Sequence, residues 1–125
     1  MHGPQLETYR NMQKATLSGR ELEAEVLSKA AFKLNFCQNN WNDPKREELL
    51  EEALKYNQKI WTLFQAELAK PDNPLPKKLR EDLLSLSAFV DKRIFELMSF
   101  PTPEKLTAII NINLNIASGL RGKST

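Results

Sequence analysis

Apolar residues recur along this chain at three- and four-residue intervals, the spacing that gathers side chains on one face of an α-helix. Between residues 19 and 40, Leu22, Val26, Leu27, Ala30, Leu34 and Cys37 form one such stripe. Between 44 and 69, Leu50, Ala53, Leu54, Ile60, Trp61, Phe64 and Leu68 form another. Between 76 and 99, Leu79, Leu83, Leu86, Val90, Ile94 and Leu97 form a third. Helix-boundary residues bracket these stripes. Ser18 with Glu21 makes a capping-box pattern, and Asp43 before Pro44 supplies an N-cap acceptor followed by a proline that needs no donor. Pro76 follows the break Pro71, Asp72, Asn73, Pro74, and Thr102, Pro103, Glu104 offers a fourth start, with Gly119 as its stop. The pattern predicts helices near 19–40, 44–69, 76–99 and 103–118, with a segment near 5–16 (Leu6, Tyr9, Met12) as a candidate short helix.

One stretch speaks against its neighbours. Ile110, Asn111, Ile112, Asn113, Leu114, Asn115 and Ile116 alternate with period two, which taken alone reads as a strand. It nevertheless lies between a proline start signal and a glycine stop signal one helix length apart, and a lone strand would leave its backbone groups without a partner. The expectation is a helix. Short connections let successive helices fold back on one another, so the fold expected is all-α, a compact bundle of four main antiparallel helices. It occupies residues 18–120 as a single domain. Residues 1–17 are an N-terminal segment, helical or partly disordered, and 121–125 a flexible tail.

Totals narrow the functions open to such a bundle. The chain has 125 residues and a formal net charge of +2, with 18 Lys and Arg against 16 Asp and Glu. Its densest basic cluster, Lys77, Lys78 and Arg80, is answered at once by Glu81 and Asp82, so no cationic stripe suits nucleic acid. No apolar run approaches the ~20 residues of a membrane span, and no signal-peptide pattern opens the chain. One cysteine, Cys37, allows no internal disulfide. These features together lead to the expectation of a cytoplasmic protein.

No catalytic constellation assembles. The single histidine, His2, is terminal, Cys37 sits on an apolar stripe, and the four glycines form no phosphate-cradling loop. Carboxylates such as Glu47, Glu48, Glu51 and Glu52 lie among lysines on a polar face. The reading is a non-enzyme with no metal, no cofactor and no small-molecule substrate.

Two asparagines fall inside apolar stripes, Asn57 among Leu50, Ala53, Ile60, Trp61 and Phe64, and Asn113 among Leu106, Ile109, Ile110, Ile116 and Ala117. A buried amide without partners costs about 1–3 kcal/mol. Asn57 and Asn113 are therefore expected to bond to each other or to a nearby helix end; the alternative is a rotated helix whose asparagine reaches solvent. Other apolar groups lie off the core faces. Phe32 and Phe36 sit opposite the Leu22, Val26, Ala30 stripe, and Leu84, Ala88 and Phe95 make a second stripe on the 76–99 segment. A helix apolar on two sides is either central in a bundle or presents a binding surface. Phe32 and Phe36 are either covered by Leu6, Tyr9 and Met12 or form a partner patch of the helix-in-groove kind.

The runs SGRELEAEVLSKAAFKL, EEALKYNQKIWTLFQAEL, PDNPLPKKLREDLLSLSAFV and PEKLTAIININLNIASGL resemble the FlaF family of flagellar biosynthesis regulators of α-proteobacteria. The most specific pieces are Tyr56-Asn57 with Trp61-Thr62-Leu63-Phe64, then Asp72-Asn73-Pro74-Leu75-Pro76, then Asn111-Ile112-Asn113 ahead of Ile116-Ala117-Ser118-Gly119-Leu120. Their order and spacing match, over about residues 18–120. The resemblance implies a small helical protein without enzymatic activity that promotes flagellin synthesis and export beside the regulator FlbT. It implies flagellin as a partner, bound in the manner of a secretion chaperone, and a FlbT-like regulator as a second partner. The competing reading is a post-transcriptional regulator that binds RNA or an RNA-binding partner. Candidate partner-binding residues are Phe32, Phe36, Leu84, Phe95, Asn73 and Leu75, with the loop residues Asn73 and Leu75 well placed to be seen by a partner.

Overall fold

A computed structural model describes residues 19–122 of the chain; the proposed Ser18 cap, the 5–16 segment and most of the C-terminal tail lie outside them. Four helices follow one another, α1 (Gly19–Asn39), α2 (Arg46–Leu68), α3 (Lys77–Ser99) and α4 (Leu106–Leu120), with no strand among the described residues. The fold is a compact all-α bundle, as the apolar spacing predicts.

Paired contacts establish how the helices run. Lys33 meets Glu52 at 2.9 Å and the Ala30 carbonyl meets Asn57, so late α1 lies beside early α2. Gln38 donates to Thr107 Oγ1 at 2.8 Å, while Arg121 donates to Ser28 Oγ at 3.0 Å, so α1 and α4 are antiparallel too. Gln65 donates to Asp91 at 2.7 Å across α2 and α3. α1 packs most extensively on α4 and next on α2, whereas α3 packs on α2. The 76–99 helix is thus an edge helix and not a central one, so the first of the two meanings offered for its two apolar sides does not hold.

Helix boundaries differ from the expected ones in instructive ways. Asp43 does act near the start of α2, its Oδ1 accepting the Lys45 N–H at 2.7 Å and its carbonyl the Arg46 N–H at 2.9 Å, but this turn delays the helix to Arg46. Pro76 is the N-cap of α3, its fixed φ leading directly into Lys77. Gly119 does not stop α4. The helix runs to Leu120, and Gly122, with φ +72°, supplies the left-handed residue after the cap while its N–H bonds to the Gly119 carbonyl at 3.0 Å.

The period-two stretch is helical throughout. Burial shows why its alternation misleads. Leu106, Ile109, Ile110, Asn113 and Ala117 face inward at intervals of three and four, while Asn111, Leu114 and Asn115 are exposed. Leu27, Leu34, Leu54, Trp61, Ile94 and Leu97 make up the deepest core with Leu106 and Ile109. Leu22, read as a core residue, is 61% exposed, because the inward face of α1 turns instead through Ala24, Leu27 and Ala31.

Candidate partner-binding surfaces

A chain of buried hydrogen bonds sits in the middle of the bundle and ties α1, α2 and α4 together. Trp61 Nε1 donates to Asn113 Oδ1 at 2.9 Å, and Asn113 Nδ2 donates to Asn57 Oδ1 at 2.7 Å. Asn57 Nδ2 then donates to the carbonyls of Ala53 at 2.8 Å and Ala30 at 3.2 Å. Both amides are fully buried and Trp61 nearly so. One polar thread therefore crosses α4, α2 and α1, with each side chain supplying what its neighbour lacks. Sequence offered mutual pairing of the two asparagines as one of its readings, and the structure has it; no sign there marks the Trp61 indole as completing the chain.

Around this seam lie the sequence-named surface residues. Phe32 is 66% exposed and Phe36 also projects outward, and among the described residues nothing covers them. Phe32 forms a ridge between two open grooves. One, about 500 Å³, runs between α1 and α4 past Asn35, Ile110, Asn111 and Leu114. The other, about 240 Å³, runs between α1 and α2 past Phe36, Leu49 and Glu52. On the outer face of α3, Phe95 is 72% exposed, Ala88 is exposed and Leu84 is half-buried. Phe100, just past the end of α3, adds a further exposed ring.

The loop residues part company. Asn73 spends its side chain on its own connection, Nδ2 donating to the Glu67 carbonyl at 2.9 Å and Oδ1 accepting the Leu75 N–H at 3.0 Å. It closes the end of α2 and shapes the turn into α3. That pairing gives Asn73 a structural role in the connection. Leu75, half-buried, points a side chain to the wall of a cleft that the sequence did not reveal.

This cleft opens at the end of the bundle where α1 begins, α2 ends and α4 ends. Its volume is about 530 Å³. Phe64, Leu75, Leu79, Leu83, Ile116 and Leu120 supply apolar walls, and Leu27 and Trp61 form part of the base. Phe64 stands edge-on to Trp61 with ring centroids 6.0 Å apart. Phe64, Leu79, Leu83 and Ile116 had been read as core; each is partly or largely open here. The usable signal was the Leu75, Leu79, Leu83 spacing directly after a Pro-rich break.

Charge at the rim is uneven. Arg20, Glu23 and Glu67 line it. Glu67 is paired with Lys70 at 2.9 Å, whereas Glu23 makes no ion pair or side-chain hydrogen bond among the described residues. Burial pushes the Glu23 carboxyl above its ordinary value, Arg20 draws it down and Glu67 pushes it up again. At the other end of α1, burial likewise raises the Cys37 thiol, with Glu52 adding to the effect, which keeps it protonated at neutral pH. Among the described residues no cluster of three or more His, Cys, Asp or Glu could hold a metal ion, and no helix is long and apolar enough to cross a membrane.

No curated protein and no solved structure matches this chain. A family model does, that of the flagellar protein FlaF, over residues 5–120. The match takes in all four helices, the buried seam and the cleft, and begins well before the stretch that carries the sequence motifs. With nearly its whole length inside that match, the chain belongs to the FlaF family of flagellar proteins.

Proposed function

We propose that this protein is a non-catalytic binding partner of flagellin in the cytoplasm, acting as a secretion chaperone does and promoting flagellin synthesis and export together with a FlbT-like regulator. The observation that carries the reading is the open apolar surface of a flagellar-family bundle: Phe32, Phe36, Phe95 and Phe100 exposed, and an apolar cleft left unfilled among the described residues. Exposed apolar residues that gather into patches mark interaction surfaces. Flagellin subunits carry amphipathic terminal helices that must not assemble before export, and an apolar groove on a helical bundle suits such a helix. The absence of clustered basic charge disfavours direct RNA recognition.

Calorimetric titration of purified monomeric flagellin onto the full chain tests this. The expected outcome is a soluble complex of micromolar or tighter affinity, of the kind a standard-sized interface gives. No complex with flagellin, together with RNA binding that weakens steeply as salt rises, would replace the reading with the RNA-directed one.

A further inference from the structure

We propose that the cleft between the start of α1 and the ends of α2 and α4 is the seat of a cation-bearing amphipathic helix of the partner, whose apolar residues meet Leu75, Leu79 and Leu83 while a Lys or Arg meets Glu23. This rests on the flagellin reading above and names the surface and the chemistry that it leaves open.

Size, rigidity and charge lead to this occupant. A volume of about 530 Å³ lies within the range of specific binding sites and suits a few anchoring side chains, as a helix offers at i, i+3 or i+4, and i+7. The base is preformed, because Trp61 is held at Nε1 by Asn113 and cannot collapse into the space. Leu75, Leu79 and Leu83 line one wall at four-residue spacing, a ridge that a second helix can pack against. The charge pattern then selects among apolar occupants. Covering the cleft removes more water from Glu23, which has no ion pair or side-chain hydrogen bond among the described residues and faces Glu67 across the rim. A purely apolar or acidic occupant would leave that carboxylate more deeply buried with Arg20 alone to offset it. An occupant bringing a Lys or Arg supplies a direct donor to Glu23, while Glu67 keeps its own partner, Lys70. The Phe32 ridge carries no such selectivity: its grooves are more open, and its neighbouring cation Lys33 is already paired with Glu52.

Two measurements on the full chain test the assignment. In the first, flagellin is titrated onto Leu79→Asp and Glu23→Lys. Leu79 is 45% exposed, so Asp is expected to leave the melting temperature near that of the parent chain while weakening flagellin binding at least ten-fold. Glu23→Lys is expected to weaken binding several-fold at low salt, and less as salt rises. In the second, a photoreactive benzophenone side chain at position 79 is irradiated with flagellin present. Adducts on a flagellin helix with a Lys or Arg beside its apolar residues are expected. Flagellin binding by Leu79→Asp within two-fold of the parent overturns the inference. So do adducts confined to this chain's own residues 1–18 or to a second copy, while leaving flagellin binding itself intact. If the parent chain binds no flagellin, the function reading and this inference fall together.

Discussion

The middle of the bundle and its open end treat polar and apolar groups in opposite ways. In the middle, two amides and an indole N–H are sealed from water and consume one another's hydrogen bonds. At the end, leucines and a phenylalanine stay accessible beside an under-paired carboxylate. Three helices, α1, α2 and α4, contribute to both, and α3 joins them only at the cleft, so the contrast lies in how each level is packed. Apolar side chains tolerate several packings, whereas a hydrogen-bond chain is satisfied in one alignment only. The seam therefore fixes the rotation and axial position of α4 against α1 and α2, and that fixed frame allows the end to remain open without collapsing.

The sharpest way to break this comparison is at the seam. Asn113→Ala removes the acceptor of Trp61 Nε1 and the donor to Asn57 Oδ1, leaving two buried polar groups unmet and a small cavity. A loss of about 3 kcal/mol in urea unfolding is expected. The double variant Asn57→Ala with Asn113→Ala should cost less than the sum of the singles, because the groups act as one network. Strict additivity would mean that the thread contributes no coupling and that the register is set by apolar packing.

Ranking second is the Phe32 ridge. Replacing Phe32 and Phe36 by Ser removes two outward-facing rings, so thermal stability should change by less than about 1 kcal/mol, as for ordinary surface substitutions. A loss comparable with that of Asn113→Ala would place these rings in the core of the full chain. If the cleft anchors the partner, binding should fall less than in Leu79→Asp.

Why the seam was legible and the cleft was not follows from what spacing encodes. Helical spacing reports which residues share a face, and that placed Asn57 and Asn113 correctly inside apolar stripes. It also kept α4 helical, once end signals were weighed against the alternation of 110–116. What it does not report is whether another helix lies opposite a given turn. Leu79 and Leu83 occupy the same stripe as Val90 and Ile94, yet only the latter pair meets α2 closely enough to be buried. Leu22 fails for the same reason, lying beyond the turn where the core of α1 begins. The Trp61 partner was illegible because hydrogen bonding between side chains 52 positions apart depends on inter-helix register. The local partners of Asn73, the Glu67 carbonyl and the Leu75 N–H, were illegible because loop exposure says nothing of an amide's neighbours.

The smallest effect expected is also the one that separates the free protein from the complex. Burial raises the Glu23 carboxyl above 4.5, and the unfolded chain lacks that burial. The folded state consequently holds the proton more tightly than the unfolded state. The stability this contributes is complete below pH 4.5 and is lost as pH rises through the folded-state value. Gln carries no charge to desolvate, so Glu23→Gln should gain on the parent chain as pH climbs from 4.5 toward neutrality, visible as a small upward shift in urea midpoint. A cation delivered by the partner reverses the sign: beside it the carboxylate is favoured, its pKa falls, and binding near pH 5 should release protons that buffers of different ionisation enthalpy detect. Glu23→Gln should then be slightly more stable alone and slightly weaker in complex. A variant weaker in both states would assign Glu23 to the fold through Arg20 and remove it from the partner's side of the cleft.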